Sequence, residues 1–336
     1  MCNKTSPLNT WCLNSFKQEK SLLTLNGFVY AVASSPIDPN FVAVAVGDSS
    51  IKLMKNKQKV KSFSKNINSE VTQITWHPTK ESLIAFGTKD GKVGIADIIS
   101  GSKPAYYIYT SFNQSVYTLV WSEDLLNTEQ DEDTSKKYNL FSVSDGKIMQ
   151  HYVQSFSLGK DSLSPDNFLK NLLNEEETNS EYGLTEFSVL KIKGGGNIFC
   201  IGKFDGSIEC YKSLSNKVSK ICSLFNHQKL ITCMRWNADE YDEGSEQPVY
   251  LASGSNDFNV IVVEFNQILN QFNDSNTTIN VYSKYKLKLE GHKERITCLS
   301  WCKGLNSLLA SCSYDSTVQE NNNKVTISIV KKCSLS

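Results

Sequence analysis

The chain has 336 residues with 35 basic and 35 acidic side chains, so no global field draws it to nucleic acid or anionic membrane. Any charged partner must meet a local patch. Hydrophobic residues make up 40%, enough for a sizeable core, but the longest wholly apolar run is Phe41 to Val46 and the start MCNKTSPLNTW lacks an apolar signal core. These features argue against a membrane-spanning helix and lead us to expect a soluble protein that is not exported.

An aspartate follows a short apolar strand in a tight-turn context six times: Asp48 in VGDSS, Asp90 in TKDGK, Asp145 in VSDGK, Asp205 in KFDGS, Asp257 in SNDFN and Asp315 in SYDST. Trp76 and Trp301 stand fourteen residues ahead of Asp90 and Asp315, and Trp121 and Trp236 end similar strands ahead of longer insertions. Successive aspartates are 42, 55, 60, 52 and 58 residues apart, which fits a WD40 unit of roughly 40 to 45 residues enlarged by loops.

In chain order, Trp11 in NTWC reads as the closing tryptophan of a blade whose earlier strands are missing, so the chain is expected to begin inside a propeller. Blade one runs from Phe28 to Met54, and the basic run Lys55, Lys57, Lys59, Lys61 and Lys65 lies in the loop after it, as a solvated loop or a phosphate-tracking patch. Blade two, Val71 to Ile98, alternates apolar and polar residues as half-buried strands do. Blade three, Val116 to Tyr152, carries the acidic insertion Asn127 to Lys137, a solvated loop. Ser164 as N-cap, Pro165, and the stripe Phe168, Leu169, Leu172 and Leu173 predict a short amphipathic helix that packs on the propeller or binds a partner. In blade four, Phe187 to Tyr211, the run Gly194 to Gly196 predicts a turn, because neither the helix nor the GK[ST] ending of a phosphate loop follows. Blade five runs from Leu230 to Phe265 with the loop Asp239 to Pro248 inside it. Blade six begins at Gly291, with His292 spaced to hydrogen-bond Asp315. After Gln319 the repeat fails; Val325, Ile327 and Ile329 alternate like a strand, but no final blade follows.

The expected fold is all-β, an incomplete WD40 β-propeller with six recognisable blades plus terminal fragments of a seven-bladed ring. Residues 1–336 form a single propeller domain, with 1–27 the closing strand of a preceding blade, 28–319 the six repeats with a helical insertion at 164–177, and 320–336 a divergent tail that suggests a truncated or alternatively spliced product.

The ten cysteines lie mostly inside apolar strand patterns, as buried reduced thiols do. Cys298 and Cys302 bracket Trp301 without the second pair or histidine spacing of a zinc site, so no metal or other cofactor is assigned. There is no GxSxG, HExxH or P-loop, and His77, His151, His227 and His292 have no paired nucleophile, so the expected role is binding and not catalysis. Side chains six and four residues before the strand-end position fall on one face at the propeller mouth. Blade one has Phe28 and Tyr30 there, blade three Tyr117 and blade six Arg295, while Tyr314 stands on a hairpin near the same end. Aromatics with a cation at a rim suit unstacked bases; packing beside the channel is the other reading of Tyr30 and Tyr117.

The stretches GFVYAVASSPID, VTQITWHPTKESLIAFGTKDGKVGIAD, SVYTLVW, LASGSND and LEGHKERITCLSW with SCSYDSTVQ resemble the second WD40 propeller of the gem-associated protein 5 family, over about residues 5 to 319. The resemblance implies an RNA-recognising subunit of the survival-motor-neuron complex, reading the uridine-rich Sm site and 7-methylguanosine cap of small nuclear RNAs for Sm-core assembly. It also implies a link to translation through messenger RNA and ribosomes. Carried over, Phe28 matches the family's cap-stacking aromatic, Tyr30, Tyr117 and Tyr314 match aromatics of the RNA face, and Arg295 stands where the family has lysine. This chain departs from the family in lacking the first propeller, which supplies the second cap-sandwiching aromatic, and in lacking an arginine before Trp11. The expectation is a single-stranded RNA-binding module, cytoplasmic and nuclear, with other subunits of that complex as partners and no membrane. The alternative is a peptide-binding WD40 scaffold without RNA.

Overall fold

The computed structural model describes the chain apart from residues 1–4, 13–16, 57, 65–66, 99–105, 111, 124–137, 145, 152–165, 168–182, 215–216, 243, 246, 276–277, 282–285, 303–307, 316, 323–324 and 331–336. It separates into two compact units, residues 1–121 with 138–171, and residues 122–137 with 172–336. Asp145, Lys57, Lys65 and the acidic insertion lie outside the described residues, as does most of the helix expected at 164–177.

Among the described residues, β1 (Thr5–Cys12) and β2 (Lys17–Asn26) pair as an antiparallel hairpin, and six larger sheets follow. The first is β3 (Val29–Ser34), β4 (Phe41–Val46), β5 (Ser50–Lys55) and β6 (Gln58–Phe63); the second is β7 (Val71–Trp76), β8 (Leu83–Thr88), β9 (Lys92–Asp97) and β10 (Tyr106–Thr110). The third is β11 (Thr118–Glu123), β12 (Tyr138–Ser144), β13 (Lys147–His151) and the two-residue β14 (Asp166–Asn167). The fourth holds β15 (Leu184–Ile192), β16 (Asn197–Lys203), β17 (Ile208–Leu214) and β18 (Lys217–Leu224), extended by the parallel strands β20 (Glu240–Tyr241) and β23 (Ile279–Val281). The fifth is β19 (Ile231–Trp236), β21 (Tyr250–Ser255), β22 (Val260–Glu264) and β24 (Lys286–Leu289), with α1 (Phe265–Ser275) after its third strand. The sixth is β25 (Ile296–Trp301), β26 (Leu309–Ser313), β27 (Thr317–Asn322) and β28 (Val325–Val330). Each repeat is thus an antiparallel meander, the form of a propeller blade.

Several expectations change. The described lysines of the basic run are on strands: Lys55 ends β5, and β6 carries Lys59 and Lys61 as the outer strand of the first sheet, anchored by buried Phe63 opposite Ile51. Lysines on an outer strand discourage a further strand from pairing there. Lys61 also donates to the Ile98 carbonyl at 3.1 Å, and the Lys55 ammonium lies 4.3 Å from the Phe41 ring centroid. Asp166 and Asn167, placed in the expected helix, pair instead with β13. Within the loop 239–248, Tyr241 is buried because Glu240–Tyr241 joins β15. The segment Val325–Val330, which alternates like a strand as expected, completes the sixth sheet as its fourth strand. The thiols are mixed: Cys200, Cys210, Cys222 and Cys233 are buried, while Cys298 and Cys302 are exposed.

The turn aspartates organise their hairpins locally. Asp205 accepts from the Ser207 amide at 2.8 Å and its hydroxyl at 2.6 Å, and Asp90 accepts from Thr88 at 2.5 Å. His292 bonds Asp315 at 2.9 Å as expected, and His227 does the same to Asp257 at 2.9 Å. Gly194, Gly195 and Gly196 form a turn with φ of 89°, 122° and 87°.

Neighbouring blades interlock through two devices. The indole Nε1 of Trp76 donates to the Ala33 carbonyl at 2.8 Å, and that of Trp301 to the Arg235 carbonyl at 2.9 Å, each one blade back. The second device is a glycine on the second strand that leaves room for a branched side chain from the following blade. A Cβ on Gly87 would lie 2.6 Å from Val116 Cγ1, one on Gly202 2.9 Å from Ile231, and one on Gly254 2.6 Å from Ile296 Cγ2. Gly87→Ala is therefore expected to overpack this contact and cost about 1–3 kcal/mol, read as a lower urea midpoint; an unchanged midpoint would show that Val116 can yield.

Candidate nucleic-acid interface

The inner strand of a blade starts with a β-bulge. The register of strand pairing skips Tyr30, Thr72, Thr185, Thr232 and Thr297, the residue at the same place in five of the six blades. A bulge leaves one residue outside the ladder and re-aims its side chain. Four of the five are threonines whose hydroxyls return to the neighbouring strand: Thr72 to the Gly87 carbonyl at 3.3 Å, Thr185 to Gly202 at 3.3 Å, Thr232 to Gly254 at 3.0 Å and Thr297 to Cys312 at 3.2 Å. Thr72 also donates to the Val116 carbonyl at 3.1 Å.

Blade one breaks this pattern with Tyr30, and blade three with Tyr117, which stands four residues before Trp121 as Thr72 stands before Trp76. The Tyr30 ring lies across Gly47, where a Cβ would be 3.1 Å from Cε2, and its hydroxyl donates to Glu70 Oε2 at 3.0 Å. Lys89 donates to that oxygen at 2.8 Å, and this bond, against the opposing effect of burial and with help from Tyr30, lowers the Glu70 carboxyl below its ordinary range. Phe28 precedes β3, its carbonyl accepting from the Gly47 amide at 2.8 Å, and its ring is 44% exposed. Gly27 before it has φ of 122°, and a Cβ there would sit 3.1 Å from the Asp48 amide, so glycine is required. The Tyr117 amide is tied to the Val143 carbonyl at 2.9 Å, and its hydroxyl donates to Gln114 at 3.2 Å. The first unit thus carries Phe28, Tyr30 and Tyr117.

The second unit carries the other pair. The Arg295 guanidinium lies 3.9 Å from the Tyr314 ring centroid, and the Tyr314 amide donates to the Arg295 carbonyl at 3.0 Å. This stack orders two long side chains while Tyr314 stays 56% exposed. The bulge was not read from the sequence, although its signal was present as a threonine recurring four residues before the strand-end position in the second, fifth and sixth repeats. The exposed aromatics Phe204, Phe225 and Phe258 of the second unit were also missed.

The family model for the RIG second beta-propeller matches residues 36–335. Gem-associated protein 5 of Homo sapiens is 32% identical over 318 residues, covering 92% of this chain and 20% of that protein. Gem-associated protein 5 of Mus musculus is 32% identical over 308 residues, covering 89% of this chain and 19% of its own length. Component of gems protein 5 of Dictyostelium discoideum is 22% identical over 314 residues, covering 76% of this chain and 23% of that protein. The chain spans about a fifth of the length of these relatives. With six antiparallel meanders and a family model matched along nearly its whole length, the chain belongs to the RIG second beta-propeller family.

Proposed function

We propose that this chain is a single-stranded RNA-binding propeller module of a gem complex, which reads the uridine-rich Sm site and methylated guanosine cap of small nuclear RNAs for Sm-core assembly. The observation that carries the reading is a tyrosine in place of the recurring threonine of the inner strand, bulged at Tyr30 and standing four residues before the strand-end tryptophan at Tyr117. Thr72, Thr185, Thr232 and Thr297 each spend their hydroxyl on the neighbouring strand, whereas Tyr30 and Tyr117 give up that bond and present rings on the inner-strand rim. Aromatic rings with a nearby cation bind unpaired bases with little sequence demand, and the Arg295–Tyr314 stack adds a charge for phosphate. In this reading Phe28 stacks on the cap guanine, Tyr30 and Tyr117 of the first unit offer rings to unpaired bases, and Tyr314 with Arg295 does the same on the second unit.

The test is titration of a uridine-rich oligonucleotide against the wild-type chain and the folded variants Tyr117→Ala and Tyr314→Ala. Each is expected to lose about 1–3 kcal/mol of affinity, the range for a base stacked on an aromatic ring. Equal binding by both variants would refute the RNA reading and leave a peptide-binding scaffold as the alternative.

A further inference from the structure

The residue after the turn aspartate must adopt a left-handed backbone. It is described in five blades, and φ is positive in all of them: 60° at Ser49, 86° at Gly91, 67° at Gly146, 87° at Gly206 and 72° at Phe258. Glycine is the unstrained answer, and three blades use it. At Gly91 and Gly206 the following blade's loop also demands it, since a Cβ would meet the Phe112 carbonyl oxygen at 2.3 Å and the His227 carbonyl oxygen at 2.7 Å. Blade five instead puts a bulky aromatic in this conformation, the residue class for which a positive φ is a true outlier. Burial does not compensate the strain, because the Phe258 ring is 37% exposed.

Over that ring lies a cation. Lys229 Nζ is 5.3 Å from the Phe258 centroid, and its backbone is held by Ser255 Oγ, which donates to the Lys229 carbonyl at 2.8 Å. Among the described residues Lys229 makes no ion pair with a carboxylate. The next blade also carries a ring beside a cation, Arg295 over Tyr314, but Tyr314 precedes its turn aspartate where Phe258 follows its own, and the blade before has Phe204, 55% exposed, directly ahead of Asp205. Blades five and six abut, as the Trp301 to Arg235 hydrogen bond shows.

We propose that Phe258 and Lys229 form a base-stacking and phosphate-contacting station for single-stranded nucleic acid, one blade along from Arg295 and Tyr314. The inference rests on the RNA reading above and extends it to residues outside the expected site. One ring beside a cation on each of two adjacent blades, at different positions of the turn, offers successive base and phosphate contacts to a strand. A strained residue that serves the fold poorly and a ligand well is the pattern of a site held at the expense of stability.

The experiment compares Phe258→Gly, Lys229→Gln and Tyr314→Ala in the full chain, by thermal melting and by binding of a uridine-rich oligonucleotide at several salt concentrations. Phe258→Gly is expected to melt higher than wild type, because glycine suits the turn, while binding roughly tenfold more weakly. Lys229→Gln is expected to bind more weakly with a salt slope shallower by about 0.7, the loss of one phosphate contact on a single strand. If Tyr314→Ala loses affinity while Phe258→Gly and Lys229→Gln bind as wild type, the station is refuted and the RNA reading stands; Phe258 then serves a protein contact or none. A Phe258→Gly chain that melts lower than wild type also refutes it, because the ring would then be a packing residue. If the wild-type chain fails to bind, or Tyr314→Ala binds unchanged, the RNA reading itself fails and the station falls with it.

Discussion

Replacing Asp257 with alanine is expected to cost the fold about 3–5 kcal/mol, the penalty for removing one partner of a buried, hydrogen-bonded pair. Asp257 Oδ2 accepts from His227 Nδ1 at 2.9 Å and from the Gln228 amide at 3.1 Å, and Oδ1 accepts from the Asn259 amide at 3.0 Å. His227 Nε2 in turn meets Ser253 Oγ at 2.9 Å. The imidazole side chain is wholly buried, so losing the carboxylate leaves its Nδ1 without the partner it has in the fold. Burial pushes the Asp257 carboxyl up, but the bond from His227 and the amides at Gln228 and Asn259 outweigh it and bring it down to about 2. With the folded value depressed, this stabilisation is complete above the ordinary carboxylate range and is lost as pH falls through about 2. Urea unfolding of the wild-type and Asp257→Ala chains near neutral pH measures the difference. A change below about 1 kcal/mol, the size of one ordinary hydrogen bond, would show that the network is dispensable.

Mild acid is expected to weaken the fold by a comparable amount through two other histidines. His151 is buried with Nε2 2.7 Å from Ser142 Oγ, and desolvation lowers its pKa to about 3. His77 is packed between Trp121, at 4.7 Å between ring centroids, and Tyr138, at 5.1 Å; burial, then the charge of Lys80, lowers it to about 4. Its Nδ1 accepts from the Thr79 and Lys80 amides at 3.2 and 3.1 Å, which fixes it as the unprotonated nitrogen. Both folded values lie below the unfolded 6.5, so between those limits the unfolded chain binds more protons and stability falls as pH falls. Each histidine is expected to cost about 2 kcal/mol at about pH 5 relative to neutrality. A pH series of urea midpoints reads this directly, and a chain carrying His77→Asn and His151→Gln should show a flatter profile. A wild-type midpoint that does not move between neutrality and about pH 5 would contradict the assignment.

What the sequence revealed of this fold follows its physics. Aspartate turns recur because each blade needs the same tight hairpin, and Trp76 and Trp301 tie their blades to the one before, so the six sheets were visible in the spacing. Strand period singled out Phe28, Tyr30, Tyr117 and Arg295, and a hairpin position Tyr314, as candidates, but not how they differ from their counterparts. For Tyr30 that difference lies in a bulge, which only strand pairing reveals. Outer strands were harder: β6 carries lysines on an exposed edge, and β14 and β20 are only two residues long. Helix α1 went unread even though Phe265, Ile268, Leu269 and Phe272 sit at helical spacing and are buried, because its asparagine-rich remainder reads as a loop. The strain at Phe258 had no sequence signal beyond the missing glycine.

The glycine gaps between blades bear on how the chain folds as it leaves the ribosome. Gly87 waits for Val116, Gly202 for Ile231 and Gly254 for Ile296, side chains that emerge 29, 29 and 42 residues later. The tryptophan ties of Trp76 and Trp301 likewise reach backward to an earlier blade. Each hairpin can therefore form as soon as it is made, but its flank is sealed only by its successor. At these three junctions the older blade's flank is completed only by residues of the blade made after it.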